Sequence, residues 1–343
     1  MHRRRTLTLA GLLIAAAGIA LFIWLIWTAG PGDVWDGIRK VGWGFVAIIA
    51  IAGARFATRA AAWRMCLEPP HTLRLSEAFA AVVSGDALGN ATPLGPLAGE
   101  PAKVAFVRAR VPLGVAFTAL AVENVFYTLS VAAVIAAGTI ALLLRGGIAS
   151  DVRLAAELAI AVVLATYVGV AWALLRKPAL LSRVLEIATR VWPSLRLESR
   201  MQKARRLEED IYTFAVRRRQ TIAPLITTEL AFHLLGVIEV HLTLWLLAGA
   251  QPRLADSFIF ETANRLITVL FKFVPQQPGL NEGATVLTAS MLGLDFQTGS
   301  TLGIVRRVRM LFWQLVGMAL LVRHGVNTRR ILADTELTDS TVH

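Results

Sequence analysis

The stretch Pro93-Leu94-Gly95-Pro96-Leu97-Ala98-Gly99-Glu100 interrupts one apolar run, and Pro275-Gln276-Gln277-Pro278-Gly279-Leu280-Asn281-Glu282 interrupts another. Both read Pro-x-x-Pro-x-x-x-Glu, at a constant offset of 275 − 93 = 182 residues. Proline lacks a backbone donor and clashes with the preceding turn, so a closely spaced pair ends a helix. The runs around these breaks, Ser76 to Ala98 (also punctuated by Gly85, Gly89 and Gly95) and Phe258 to Leu294, are expected to be helical hairpins or broken helices with tips at membrane depth. The blocks that lead into them correspond as well. Leu75-Ser76-Glu77-Ala78-Phe79 matches Leu254-Ala255-Asp256-Ser257-Phe258 once a short insertion is allowed, and Glu123-Asn124 finds Arg306-Arg307 near the equivalent place.

Working outward, six further apolar stretches have the length to cross a bilayer core: roughly Leu7 to Ala29, Gly42 to Trp63, Pro112 to Leu144, Val152 to Leu175, Ile222 to Gly249 and Thr298 to Val322. With 343 residues, 56% of them hydrophobic and 17% charged, and a mean hydropathy of +0.61, the chain is excluded from the water-soluble globular class. The expected fold is an all-α polytopic membrane protein of about six full spans plus two broken or re-entrant hairpins, about eight membrane segments in all. Leu7 to Ala29 is too long for the apolar core of a signal peptide and no small-x-small cleavage site follows it, so it is expected to be retained.

Three full spans separate the two hairpins, and an odd number turns the second unit upside down relative to the first. The sequence thus predicts an inverted repeat with halves of about 1–150 and 151–325, forming one integral domain over 1–325 with a linker at 176–220 and a cytoplasmic tail at 326–343. The net charge of +12 raises nucleic acid as a partner, but its distribution argues against that. Twelve basic residues against five acidic ones lie in the linker from Arg176 to Gln220, and Arg3, Arg4 and Arg5 precede the first span. Both clusters fit cytoplasmic flanks facing anionic lipid, which places the N- and C-termini in the cytoplasm. Leu207, Ile211 and Phe214 suggest that the linker is partly helical and lies on the inner leaflet.

Charges inside apolar helices are costly and need a partner or a wet cavity. The candidates are Arg55, Arg59, Glu100, Lys103, Glu123, Glu229, His233, Glu239, His241, Arg265, Lys272, Glu282, Arg306, Arg307 and Arg309. Arg55 and Arg59 share a helical face and repel unless an acid or a phosphate lies between them. Glu100 and Glu282 also suit the starts of helices, with Pro101 at a first helical position and Asn281 as a cap. Neither GxSxG, Walker A nor HExxH is present, and the single cysteine, Cys66, excludes a cysteine-based metal cluster. An enzyme with an intramembrane acid, base or metal site is the weaker reading, so no cofactor and no metal are expected.

The motifs Pro93 to Glu100, Glu123, Pro278-Gly279-Leu280-Asn281-Glu282-Gly283 and Leu302-Gly303-Ile304-Val305-Arg306 resemble the flippase-type transmembrane domain of the lysylphosphatidylglycerol synthase superfamily. The run Phe271-Lys272-Phe273-Val274-Pro275 and the stand-alone length are most similar to its hopanoid-biosynthesis-associated branch. The chain departs from the common pattern with Asn124 and Tyr127, where Arg and a downstream Asp are frequent, and with Asn281, where a small residue is common. The resemblance implies a bacterial inner-membrane protein that moves a phospholipid or hopanoid-type lipid between leaflets. Only about 20 residues follow the last span, so the aminoacyl-transfer domain of the bifunctional synthases is not expected there. In this reading Arg55, Arg59, Lys272 and Arg306 hold a phosphate or other polar head group. Glu100, Glu123 and Glu282 balance those charges, receive a cationic head or carry a coupling proton. The expected partners are membrane lipids and lipid-biosynthesis enzymes, and the alternative from another class is a membrane scaffold for such enzymes.

Overall fold

The computed structural model describes residues 31–92, 95–145, 150–176, 198–248, 252–271, 274, 277 and 279–324. These contain eleven helices: α1 Pro31–Val41, α2 Gly44–Cys66, α3 Leu75–Ala91, α4 Gly95–Phe106, α5 Leu113–Arg145, α6 Ser150–Arg176, α7 Glu198–Arg217, α8 Arg219–Ala248, α9 Leu254–Leu270, α10 Leu280–Met291 and α11 Phe296–His324. Three stretches among the described residues are long and apolar enough to cross a membrane, Gly44–Cys66, Leu113–Arg145 and Arg219–Leu247. The protein is an all-α, multi-pass membrane protein. A shorter apolar stretch, Ala156–Val170, occupies α6. The 29 residues of α11 carry Arg306, Arg307 and Arg309 in their middle. The predicted first span Leu7 to Ala29, the linker segment 177–197 and the tail from 325 onward lie outside the described residues.

Neighbour relations repeat between the halves. Helix α2 packs on α8, α3 packs on α4 and on α11, and correspondingly α9 packs on α10 and on α5. Two ion pairs show the relative direction of the hairpins. Glu77, in the first turn of α3, meets Arg110 just before α5 at 3.2 Å. Asp256, in the first turn of α9, meets Arg145 at the far end of α5. The two hairpins therefore begin at opposite ends of one long helix.

The helices differ from the sequence expectation in four places. The segment Asp33 to Lys40, between the first two expected spans, belongs to α1, which ends where Gly42 takes a φ of +57° and donates its N–H to the Ile38 carbonyl. Helix α3 runs unbroken through Gly85 and Gly89, whose missing Cβ atoms serve packing. A Cβ on Gly85 would lie 2.7 Å from the Gly99 carbonyl oxygen and collide with Lys103 Cγ. Helix α4 already starts at Gly95, so Pro101 lies inside it and Glu100 is not a helix-start acid. In the second hairpin Glu282 does occupy the first turn of α10, but the N-cap is Gly279 at φ +77°, not Asn281.

Aromatic residues fasten the core. The fully buried Trp63 donates its indole N–H to the Ala116 carbonyl, joining α2 to α5, while Trp313 donates to the Ile49 carbonyl, joining α11 to α2. Where α2 ends, the Arg218 guanidinium donates to the carbonyls of Leu67 (3.0 Å) and Met65 (3.4 Å). That contact ties the α7–α8 junction to the end of α2. Phe214 of α7 is buried in the core of the bundle.

Candidate functional site

Arg55 and Arg59 lie one turn apart on α2. The acids that relieve their repulsion come from three other helices. Arg55 donates to Glu239 Oε2 of α8 at 3.2 Å and to Glu261 Oε1 of α9 at 3.0 Å. Glu261 is the centre of the group: Arg265 also donates to Oε1 (3.0 Å) and Arg306 of α11 to Oε2 (2.8 Å). Arg309 completes the group by donating to Glu239 Oε2 at 2.7 Å. The guanidinium groups of Arg55 and Arg265 each lie 4.8 Å from the centroid of the Phe232 ring.

This cluster joins α2, α8, α9 and α11 with four arginines and two glutamates, a formal surplus of 4 − 2 = +2. Its carboxylates are 1–2% exposed, so their charges are compensated by partners, not by water. The cations are less completely satisfied. Arg55 Nε, Arg306 Nη1 and Arg309 Nε are buried donors without a hydrogen-bond partner.

A second chain of contacts runs to the first hairpin. Arg59 Nε lies 2.8 Å from Glu123 Oε1, Arg59 Nη2 donates to Glu123 Oε2 at 3.1 Å, and the guanidinium stacks 3.6 Å from the centre of the Tyr127 ring. Asn124 then bridges, accepting from Arg59 at 3.4 Å and donating to Glu100 Oε2 at 3.2 Å. Glu100 accepts from Lys103 at 2.8 Å. Tyr127 in turn accepts from Arg265 at 3.2 Å, which links the two groups. Beside them Asp86 of α3 is exposed, yet it lies in the electrostatic reach of Lys103, Arg59, Glu100 and Arg309.

Of the residues expected to hold a head group, Arg55 and Arg306 meet on Glu261, while Arg59, Glu123 and Glu100 share the second chain. Glu282 stands apart from both, paired with Arg307 at 2.7 Å. Lys272 lies outside the described residues. His241 faces Ser257, 3.0 Å from its hydroxyl, on a shallow groove with Ile238, Leu242 and Trp245. Among the described residues no group of three or more His, Cys, Asp or Glu is arranged to hold a metal ion.

Sequence reasoning missed Glu261 and Asp86. The i, i+4 pair Glu261 and Arg265 within an apolar helix was a visible signal for the first. Gln277 was missed too. At a φ of 45° it folds back to donate to the Phe271 carbonyl at 2.9 Å, closing the end of α9.

No curated protein and no solved structure matches this chain. The family profile described as the lysylphosphatidylglycerol synthase TM region matches residues 9–317, a range that contains both proline breaks and every interior charge described above. Because that match spans most of the 343 residues, the chain belongs to the lysylphosphatidylglycerol synthase transmembrane-region family.

Proposed function

We propose that the protein is a non-enzymatic lipid carrier that moves the polar head of a membrane lipid past the bundle interior while the tails stay in the bilayer. The observation that carries this reading is the Glu239–Glu261 cluster, whose formal surplus of +2 and three unsatisfied buried N–H groups suit an anionic head such as a phosphate. An isolated structural ion-pair network is neutralised more completely, since each unpaired buried donor has an energetic cost. Asp86, exposed on α3 within electrostatic reach of Arg59 and Glu100, marks the side from which the head would enter. Family membership supports a role at membrane lipids. The two hairpins, beginning at opposite ends of α5, supply the pair of oppositely directed elements that alternating exposure to two leaflets requires.

Reconstitution into vesicles with fluorescent phospholipids in one leaflet tests this reading. Wild-type protein is expected to speed their appearance in the other leaflet, and Arg306→Gln at normal membrane abundance to reduce that rate. A purified, folded protein that leaves the lipid distribution unchanged rejects the carrier reading and favours the scaffold, which acts through the basic linker.

A further inference from the structure

One buried pair of titratable groups takes no part in the contacts above. Glu229 and His233 lie one turn apart on α8, 2% and 3% exposed. Neither Glu229 oxygen has a hydrogen-bond partner of good geometry, and the same holds for His233 Nδ1. The other imidazole nitrogen, Nε2, lies 3.0 Å from Ser130 Oγ. Ser130 has one hydroxyl hydrogen, for which the Tyr127 carbonyl at 2.8 Å and Glu229 compete, so its oxygen accepts and His233 Nε2 carries the donated hydrogen. In neutral His233 that leaves Nδ1 as a bare acceptor. With Glu229 ionised, its two oxygens and Nδ1 would be buried with no donor beyond that one contested hydroxyl, and a single added proton eases the mismatch.

The groups facing this pair decide what the proton controls. From α2 come Arg55, Arg59 and Cys66, and from α5 come Glu123, Tyr127 and Ser130. Arg265 of α9 reaches Tyr127 and the Phe232 ring. Arg306 and Arg309 of α11 face the Glu239–Glu261 end of the helix. On α7, Asp210 lies nearest Glu68 and its own helix's charges, and α1 packs near Leu246 at the other end of α8. The cation shared between Glu229 and the described network is thus Arg59, which is engaged on Glu123.

We infer that Glu229 and His233 form a proton-binding site whose occupancy decides whether Arg59 stays on Glu123. With the proton bound, Arg59 holds Glu123 and Asn124, and Asn124 holds Glu100, so α4 is tied to α2 and α5. When the proton leaves, the Glu229 carboxylate competes for Arg59 and loosens that tie. No bond other than the one to the proton is made or broken. The inference rests on the carrier reading for its purpose and deepens it by naming the coupled ion.

Infrared difference spectroscopy of the purified protein between about pH 5 and about pH 9 tests it without any transport. A carbonyl band of a protonated carboxylic acid is expected in the wild type and absent in Glu229→Gln. In Glu123→Gln, which frees Arg59, the loss of that band is expected to move to lower pH by about one unit or more. If the band is missing in the wild type, survives in Glu229→Gln, or keeps its midpoint in Glu123→Gln, the inference is overturned. Should Glu229→Gln not accumulate, the midpoint in Glu123→Gln decides alone. A band that behaves as expected in a protein that moves no lipid keeps the proton site and rejects the carrier.

Discussion

In the first hairpin, Gly85 and Gly89 of α3 meet Gly99 of α4 nearly backbone to backbone: a Cβ on Gly99 would lie 2.8 Å from the Gly85 oxygen and 3.3 Å from Gly89 Cα. In the second, a Cβ on Gly279 or Gly283 would meet nothing within 4 Å. There the close approach has moved to the next interface. Gly299 of α11 faces Val286 and Ala289 of α10, and Gly303 faces the Glu282 backbone. The repeat has kept the proline break and the glutamate but shifted the tight contact, so α3 and α4 form one rigid pair while α10 is fixed to α11. Helix α9 is then joined to its surroundings by the buried Ile259 and Phe260 and by the charges of Glu261 and Arg265.

The strongest way to break this comparison is Glu261→Gln, which leaves Arg55, Arg265 and Arg306 buried without their shared carboxylate. A loss of about 3–5 kcal/mol is expected, read as a lowered unfolding temperature in detergent, with hydrogen exchange rising first in α9. Next comes Gly99→Ala, expected to cost about 1–3 kcal/mol by forcing α3 and α4 apart. Its counterpart Gly283→Ala is expected to do the reverse and gain up to about 1 kcal/mol of helix propensity in α10. Equal effects of these two glycine changes would overturn the contrast between the hairpins. Asn124→Ala removes the bridge from Arg59 to Glu100 and is expected to cost about 1 kcal/mol, with faster exchange in α4 and none in α10.

The smallest effect concerns the end of the second hairpin outside the apolar spans. The Thr298 hydroxyl and backbone N–H donate to Asp295, both at 2.8 Å, and hold its carboxyl below the usual carboxylate range. A carboxyl so depressed stabilises the first turn of α11 above its unfolded pKa, and that contribution is lost as pH falls through the folded one. Hydrogen exchange at Gln297 and Thr298 is expected to rise only below about pH 4. Asp295→Ala should raise it at neutral pH as well.

Much of this architecture was legible because proline and charge carry unambiguous costs in an apolar helix. The paired breaks marked the hairpins, and Arg55, Arg59, Glu123 and Arg306 stood out by their setting. What escaped was pairing over long separations. Arg55 and Glu261 are 206 residues apart, and nothing in either neighbourhood announces the other. Gly85 and Gly89 misled for a related reason, since a glycine that breaks a helix and one that admits a neighbouring backbone look alike until the neighbour is known. Asn124, noticed only as a departure from the family pattern, proved to be the link between Arg59 and Glu100.

Helix α5 has 33 residues and is about 50 Å long at the usual rise, well beyond the roughly 30 Å of hydrocarbon it has to cross. It must lean or protrude. Because Arg110 and Arg145 pin the two hairpins beside its opposite ends, it works as a beam with a load on each arm. Any change in its lean carries both hairpin starts toward or away from the bilayer midplane together, so a thinner or thicker membrane would change how deep the interior charges lie before any lipid head has bound.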